Sequence, residues 1–192
     1  AVGRGDQGAI RSTDKGLSWT NGVSVAGVKL ETVVYGGAPG NEKFVAFETR
    51  GAAYSSPDGL IWTPATDAVI ALAAPASAAY GNNKFVTVGT TGPEPTQHSD
   101  DGIVWTAGTG ATSGNWRGVA YGGSPGNEKF VAVGDSGTYR LMTSDNGTTW
   151  TPVTLPSDVG EDWYGVTYAN GKFVVTGVSD TRVMYSDDDG VT

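Results

Sequence analysis

Cysteine is absent from the 192-residue sequence, and histidine occurs once, as His98. Without cysteine the chain can form no disulfide and no thiolate-ligated zinc or redox site. A single imidazole would need further nitrogen or sulfur ligands to hold a transition metal. We therefore predict no metal site and no cofactor.

Positive charge is also scarce. Twelve Lys and Arg against 20 Asp and Glu give a formal net charge of −8. Nucleic-acid backbones and anionic membrane surfaces attract basic proteins, so neither is expected as a partner. Long apolar segments are missing too, because the longest, residues 68–79, is interrupted by Pro75 and Ser77 and is too short to span a bilayer. We predict no membrane insertion.

Leucine and methionine, which favour helices, are few. The sequence has 6 Leu and 2 Met, compared with 22 Val and 23 Thr. β-Branched residues suit pleated strands, and the 30 glycines suit frequent turns. The composition therefore predicts an all-β protein.

Aromatic residues recur along the whole chain. Four Trp-Thr pairs are spaced 43, 43 and 45 residues apart, beginning at Trp19, Trp62, Trp105 and Trp150. Each period contains four short apolar segments separated by Gly, Asn, Asp and Ser turns. Four antiparallel strands per period match the blade of a β-propeller. Because one blade cannot bury both faces, we expect the recurrent rings to fill the space between blades.

The turn before each tryptophan has a sequence of its own. It contains Ser or Thr, then Asp, then Gly, and four of the five copies have Trp three residues after the Gly. This pattern resembles the Asp-box, or bacterial neuraminidase repeat, of sialidase-like β-propellers. The resemblance implies a hairpin turn between the third and fourth strands of a blade, with the Asp bonded to turn backbone in a structural role. Two copies depart from it, since Pro57 occupies the Asp position beside Asp58, and His98 occupies the Ser position. The residues assigned to the turns are Ser12, Asp14, Gly16, Trp19, Asp58, Gly59, Trp62, Asp100, Gly102, Trp105, Asp145, Gly147, Trp150, Ser186, Asp188 and Gly190.

The repeats define a single propeller domain over residues 1–192. The expected blades are approximately 1–20, 21–63, 64–106, 107–151 and 152–192, of which the first and last are partial. The loop between the first two strands alternates in length from blade to blade, so a closed ring of five would set two short-loop blades side by side. We therefore expect this chain to be an arc of a larger ring, six- or eight-bladed.

Residues that break the repeat are the candidates for ligand binding. Trp116 and Trp163 precede the innermost strands of the fourth and fifth blades, and Arg117 and Tyr164 follow them. Strand entries of this kind border the central channel, a usual site for propeller ligands. An indole face beside an arginine suits a sugar ring. Alternatively, the two tryptophans cap the interface between blades.

These observations favour a non-catalytic binding or structural module at an extracellular, bacterial or phage surface, with a glycan or a protein as its partner. Association with further copies, or with the rest of a longer chain, is left open. The alternative is a sialidase-like or other glycoside hydrolase. Sialidases use a Tyr nucleophile and three arginines, and no segment here matches the sequence around their first catalytic arginine. Unassigned carboxylates leave another paired-acid glycosidase open, namely Glu31, Glu48, Glu94 and Glu161. A third alternative, an assembly factor like the propeller stability factors of photosynthetic membranes, has no specific motif.

Overall fold

The computed structural model describes residues 1–3, 8–22, 28–65, 73–91, 94–155, 162–178, 183–187 and 189–190. These residues form five antiparallel sheets. No helix that could cross a membrane occurs among them. The all-β prediction is therefore confirmed.

Strands follow chain order within every sheet, and in the second to fifth sheets the first strand is the innermost. The first sheet contains β1 (Ile10–Arg11) and β2 (Thr20–Asn21), with a bridge between Val2 and Ala9. The second contains β3 (Leu30–Gly36), β4 (Lys43–Glu48), β5 (Ala53–Ser56) and β6 (Thr63–Pro64), and the third contains β7 (Ala73–Gly81), β8 (Lys84–Thr91), β9 (Thr96–Ser99) and β10 (Thr106–Ala107). The fourth contains β11 (Trp116–Gly122), β12 (Lys129–Gly134), β13 (Leu141–Ser144) and β14 (Thr151–Val153), and the fifth contains β15 (Trp163–Ala169), β16 (Lys172–Gly177) and β17 (Val183–Ser186).

The inner strands lie side by side. β3 contacts β7, β7 contacts β11, and β11 contacts β15, while no contact of comparable extent joins β15 back to β3 among the described strands. Because strands alternate in direction, all inner strands start at one edge of the sheets, here called the upper rim. They end at the opposite edge, the lower rim, where the Asp-box turns also lie. Membership of a larger ring stays a prediction.

Each inner strand carries a β-bulge near its start. The register shifts by one residue between Leu30 and Thr32, and at the equivalent point in β7, β11 and β15. The residue before the bulge is buried in every case, whereas the bulged residue is at least partly exposed. A bulge re-aims a side chain while it bends and twists the strand locally. The bulged residues at the upper rim are Glu31, Ala76, Arg117 and Tyr164.

Neighbouring sheets meet through a tyrosine and a glycine on their inner strands. The tyrosine of one sheet lies against the glycine that ends the preceding inner strand. A Cβ built on that glycine would lie 2.1, 2.0 and 2.1 Å from the ring in the pairs Gly36–Tyr80, Gly81–Tyr121 and Gly122–Tyr168. Only glycine permits so close an approach. The fifth sheet departs from this series, because Ala169 follows its tyrosine.

The tryptophans of the Trp-Thr pairs pack between sheets, with the exception of Trp19. Trp62 and Trp150 are 7% and 2% exposed, and the ring of Trp105 lies 5.0 Å from that of Phe47 in the preceding sheet. Trp19 is 51% exposed. Each buried tryptophan packs against the sheet that precedes its own, whereas no described sheet precedes the one that contains Trp19.

Candidate functional site

The two tryptophans at the strand entries are buried. Trp116 is 0% exposed and Trp163 is 1% exposed, and the Trp116 Nε1 donates to the Thr112 carbonyl at 2.9 Å. They immediately precede the bulges of β11 and β15, a position that is buried in all four sheets with a described inner strand. A buried indole cannot stack on a sugar, so this part of the sequence prediction is corrected. Both residues fill the core, as the alternative interpretation expected.

The bulged residues after them come together at the upper rim. The guanidinium carbon of Arg117 lies 5.0 Å from the ring centroid of Tyr164. The Arg117 Nε donates to the Asp135 Oδ2 at 2.6 Å. Tyr164 is 41% exposed, whereas the Asp135 side chain is 9% exposed. The arginine is therefore held between a largely buried carboxylate and an exposed aromatic ring.

Backbone contacts fix the carboxylate in place. Asp135 directly follows β12, and its N–H donates to the Asn115 carbonyl at 3.1 Å. The Asn115 N–H in turn donates to the Ser136 hydroxyl at 2.8 Å. The entry to β11 and the exit from β12 are thus tied together, which preorganises the ion pair.

The electrostatics of the cluster keep the Asp135 carboxyl group ionised. Burial alone would raise the pKa of Asp135, but hydrogen bonding to Arg117, Tyr164 and Asn115 and the charge of Arg117 outweigh burial and lower it. Hydrogen bonding to the Asp135 carboxylate raises the pKa of the Tyr164 hydroxyl. At neutral pH the cluster is therefore an Arg–Asp ion pair beside a neutral phenol.

An exposed apolar residue adjoins the cluster. Val178 is 66% exposed, and its N–H donates to the Asp162 carbonyl at 3.2 Å, next to Trp163 and Tyr164. Val178 follows the end of β16 as Asp135 follows the end of β12. We call Arg117, Asp135, Tyr164 and Val178 the upper site. It combines a charged pair, an aromatic ring and an aliphatic side chain on one rim.

Sequence reasoning missed Asp135 and Val178. The signal that identified Arg117 could have found them, because the equivalent positions of the second and third sheets hold Thr49 and Thr90. Both residues thus break the repeat. Their proximity to the bulged residues becomes visible only when the strand register is known.

The Asp-box turns occur in two forms. In the first sheet, Gly16 N–H donates to the Ser12 hydroxyl at 2.8 Å and Ser18 N–H donates to Asp14 at 2.9 Å. In the fifth, Gly190 N–H donates to Ser186 at 2.8 Å, and Asp188 lies outside the described residues. In both turns the serine precedes the glycine by four positions.

The three middle turns are one residue shorter. Their serines, Ser56, Ser99 and Ser144, precede the glycines by three positions and accept the N–H of Gly59, Gly102 and Gly147. The acceptors of the next two N–H groups are Asp58, Asp101 and Asn146. The structure therefore differs from the predicted alignment at Asp100 and Asp145, which instead pair with Lys84 and Lys129. His98 lies on β9 before its turn, and burial lowers its pKa.

Two open clefts lie on the lower rim beneath the duplicated Gly-Gly-x-Pro-Gly-Asn-Glu loops. Their volumes are about 520 and 640 Å³, and Glu42, Lys43 and Asp101 line one, while Glu128, Lys129 and Asp145 line the other. Most of these side chains already bond to loop or turn groups. Across the described ranges, no group of three or more His, Asp or Glu residues is placed to hold a metal ion.

The titration behaviour of the acids bears on the hydrolase alternative. Among the residues that the structure describes, the carboxyl groups whose pKa departs clearly from its usual value are Asp14, Asp58, Asp101 and Asp135, and in each the pKa is lowered. A general acid for glycoside cleavage needs a raised pKa. The pKa of Tyr164 is raised, which is opposite to what a tyrosine nucleophile requires. Glu161 lies outside the described residues.

No protein-family model matches the sequence, and no curated protein is significantly similar to it. Solved structures do resemble it. One, of YCF48 bound to a D1 peptide, matches with a TM-score of 0.68 and 18% identity over 99% of this chain and 60% of that one. A GH74 enzyme from Niastella koreensis matches with a TM-score of 0.60 and 24% identity over 95% of this chain and 27% of that one. An ancestral GH74 enzyme matches with a TM-score of 0.62 and 20% identity, over 95% of this chain and 29% of that one.

The chain therefore spans less than two thirds of the length of these structures. At such identities the likeness concerns the fold alone, and a protein solved with a bound peptide and GH74 enzymes both share it. Together with the adjacent inner strands and the four-stranded sheets, it establishes that this chain has a β-propeller fold.

Proposed function

We propose that this chain is a non-catalytic binding module that holds a protein or peptide segment at the upper site. The observation that carries the proposal is the Arg117 guanidinium, bonded to the largely buried Asp135 and stacked on exposed Tyr164. Arginine and tyrosine are enriched among the residues that contribute most to protein–protein binding. Their geometry here is preorganised, which reduces the entropy lost when a partner binds.

A protein partner is favoured over a glycan for two reasons. The indoles of Trp116 and Trp163, which would have offered a flat surface to a sugar, are buried. The similar YCF48 structure was solved with a D1 peptide bound, which supports the same class of ligand on this fold. We further propose an extracellular, cell-surface or virion setting, in keeping with the acidic, cysteine-free composition.

The upper site lacks the features that hydrolysis would need. Asp135 is ion-paired with a lowered pKa, so it is a poor proton donor at neutral pH. The Tyr164 hydroxyl stays protonated, because its pKa is raised. A buttressed arginine that contacts a partner requires neither proton transfer nor a nucleophile.

The test starts with selection of peptides from a displayed random library on the immobilised chain, followed by calorimetric titration of the selected peptides. Tyr164→Ala should weaken binding at least about tenfold, which corresponds to about 1.4 kcal/mol. Tyr185→Ala is the matched control, because Tyr185 is also exposed and lies in the same sheet away from the upper site. Its affinity should equal that of the wild type.

Three outcomes would overturn the proposal. One is the failure of any peptide to bind above background, and another is equal weakening by both tyrosine substitutions. The third is hydrolysis of fluorogenic sialosides or β-glycans by the purified chain, abolished by Asp135→Asn. That third result would favour the hydrolase alternative.

A further inference from the structure

Six peptide bonds in the sequence join Asn or Asp to Gly. A side-chain imide forms most readily at such a bond, because the glycine nitrogen has no Cβ beside it to hinder its approach to the preceding side-chain carbonyl. The structure places one of these bonds in surroundings unlike those of the other five. The six are Asn21–Gly22, Asp58–Gly59, Asp101–Gly102, Asn146–Gly147, Asn170–Gly171 and Asp189–Gly190.

Five of these glycines are buried, and their N–H groups are engaged in hydrogen bonds. The Gly22 N–H donates to the Ala9 carbonyl at 2.9 Å. In the Asp-box turns a serine hydroxyl accepts the N–H, at 2.8–2.9 Å, from Gly59, Gly102, Gly147 and Gly190. Attack by any of these nitrogens would break a hydrogen bond inside a packed structure, where an unpaired polar group is costly.

The side chain of Asn146 is held as well. Its Oδ1 accepts the N–H groups of Thr148 and Thr149, each at 2.9 Å. Both reacting groups of the Asn146–Gly147 bond, the glycine nitrogen and the side-chain amide, are therefore fixed by the native turn.

Gly171 is exposed. It forms, with Asn170, the two-residue turn between β15 and β16, in which Ala169 pairs with Lys172 and the φ angles are 52° and 77°. This is the type I′ turn that Asn-Gly favours. A Cβ built on Gly171 would meet no atom within 4 Å, and no hydrogen bond from its N–H occurs among the described residues. Within the described structure, this nitrogen is therefore neither bonded nor shielded from water.

The exposure of this turn does not depend on the place of the fifth sheet in the row. The equivalent turn of the third sheet, Asn82-Asn83, is also exposed, although the inner strand of the fourth sheet packs on that of the third. Its φ angles, 45° and 56°, have the same sign. The second residue there carries a Cβ, which hinders attack by its nitrogen. The third sheet thus has the same turn without the reactive dipeptide.

We propose that Asn170 is a site of spontaneous deamidation through a cyclic imide, and that the Asp-box turn protects Asn146 from the same reaction. The Gly171 nitrogen attacks the Asn170 Cγ, the Cγ–Nδ2 bond breaks, and Nδ2 leaves as ammonia with the Gly171 amide proton. Water then opens the imide at either carbonyl, which yields Asp or isoaspartate, and nothing is oxidised or reduced. Isoaspartate lengthens the main chain between Ala169 and Lys172 by a methylene, so the turn no longer fits the pairing of β15 with β16. This inference is independent of the proposed ligand.

The test is incubation of the folded chain in mildly alkaline buffer, followed at intervals by proteolysis and mass spectrometry of the separated peptides. Asn170 should be converted at least about tenfold faster than Asn21 or Asn146, which corresponds to about 1.4 kcal/mol in activation free energy. In concentrated urea the three asparagines should be converted at similar rates, because each precedes glycine and the native hydrogen bonds are gone.

Two variants distinguish the effect of the structure from that of the dipeptide. Gly171→Asn copies the turn of the third sheet and should slow conversion of Asn170 at least about tenfold. Ser144→Ala removes the acceptor of the Gly147 N–H and should speed conversion of Asn146, with Asn170 unchanged. Asn21 is the internal control, since neither substitution touches the bond between Gly22 and Ala9.

Near-UV circular dichroism shows whether each variant is folded, and if Ser144→Ala is not, the comparison of folded and urea-unfolded wild type decides. Equal rates at the three asparagines of the folded chain would overturn the proposal. So would an Asn170 that is stable in the folded chain but converted in urea, or a Gly171→Asn chain that is converted as fast as the wild type. An unchanged rate at Asn146 in folded Ser144→Ala would overturn the protective role of the turn.

Discussion

The contact between Gly81 and Tyr121 offers a sharp test of how the sheets pack. Gly81 ends β7, and the Tyr121 ring of the next sheet lies over it. In Gly81→Ala the new Cβ would lie 2.0 Å from the Tyr121 Cγ, whereas carbon atoms in contact prefer about 3.5–4.0 Å. The ring must therefore move by about 1.5–2 Å.

The free-energy cost has two contributions, the overpacking itself and the loss of the contact between Tyr121 and Phe130. Overpacking a well-filled interface costs about 1–3 kcal/mol. Tyr121 also packs against Phe130 with 4.7 Å between ring centroids, and loss of such a pair costs about 0.5–1.5 kcal/mol. We expect Gly81→Ala to lower the free energy of unfolding by about 2–4 kcal/mol. For a chain of this length that corresponds to a fall in Tm of roughly 4–16 °C.

Thermal and urea unfolding, followed by tryptophan fluorescence, would measure this effect. Gly3→Ala is the matched control, because a Cβ at Gly3 meets no atom within 4 Å, and its Tm should stay close to that of the wild type. In Gly81→Ala/Tyr121→Ala the overlap is gone, so the double variant should be more stable than the sum of the single effects predicts, by about 1–3 kcal/mol. A Gly81→Ala Tm equal to that of Gly3→Ala, or strict additivity, would refute the packing described for the inner strands.

Three further predictions concern the turns and the fifth sheet. Hydrogen bonds lower the pKa of Asp14 to about 2, and hydrogen bonds to Asp101 outweigh the effect of burial and lower the pKa of Asp101 too. The stability that these carboxylates supply is therefore complete above about pH 4 and is lost as the pH falls towards 2. The Tm of Asp101→Asn should fall less steeply over that range than the wild-type Tm, and parallel curves would contradict this. Asn146→Asp puts a carboxylate where the amide oxygen now accepts two N–H groups, and should raise the free energy of unfolding at pH 7 by about 0.5–1 kcal/mol, a gain that chemical denaturation should no longer detect near pH 2. Ala169→Gly should destabilise the isolated chain by about 0.5–1 kcal/mol through backbone entropy, because no described tyrosine lies over it, and a rise in Tm would argue against that account.

Much of the fold could be predicted from local chemistry. The spacing of the Trp-Thr pairs, the β-branched composition and the Gly-containing turns indicated four short strands per repeat, because strand and turn preferences act over a few residues. The turn register was off by one residue at Asp101 and Asn146. The five turn copies were aligned on their glycines. The hydrogen bonds show which serine belongs to each turn, and that serine lies three positions before the glycine in the middle turns.

The sequence by itself determined the repeat, the strands and the candidate importance of Arg117 and Tyr164, since these follow from periodicity and from departures from it. Only the tertiary structure decided that Trp116 and Trp163 are buried and that Asp135 holds Arg117. Which way a side chain points at a β-bulge, and which residue of another strand it meets, depends on register and on the neighbouring sheet. Those contacts join residues far apart in the chain, so no local pattern specifies them.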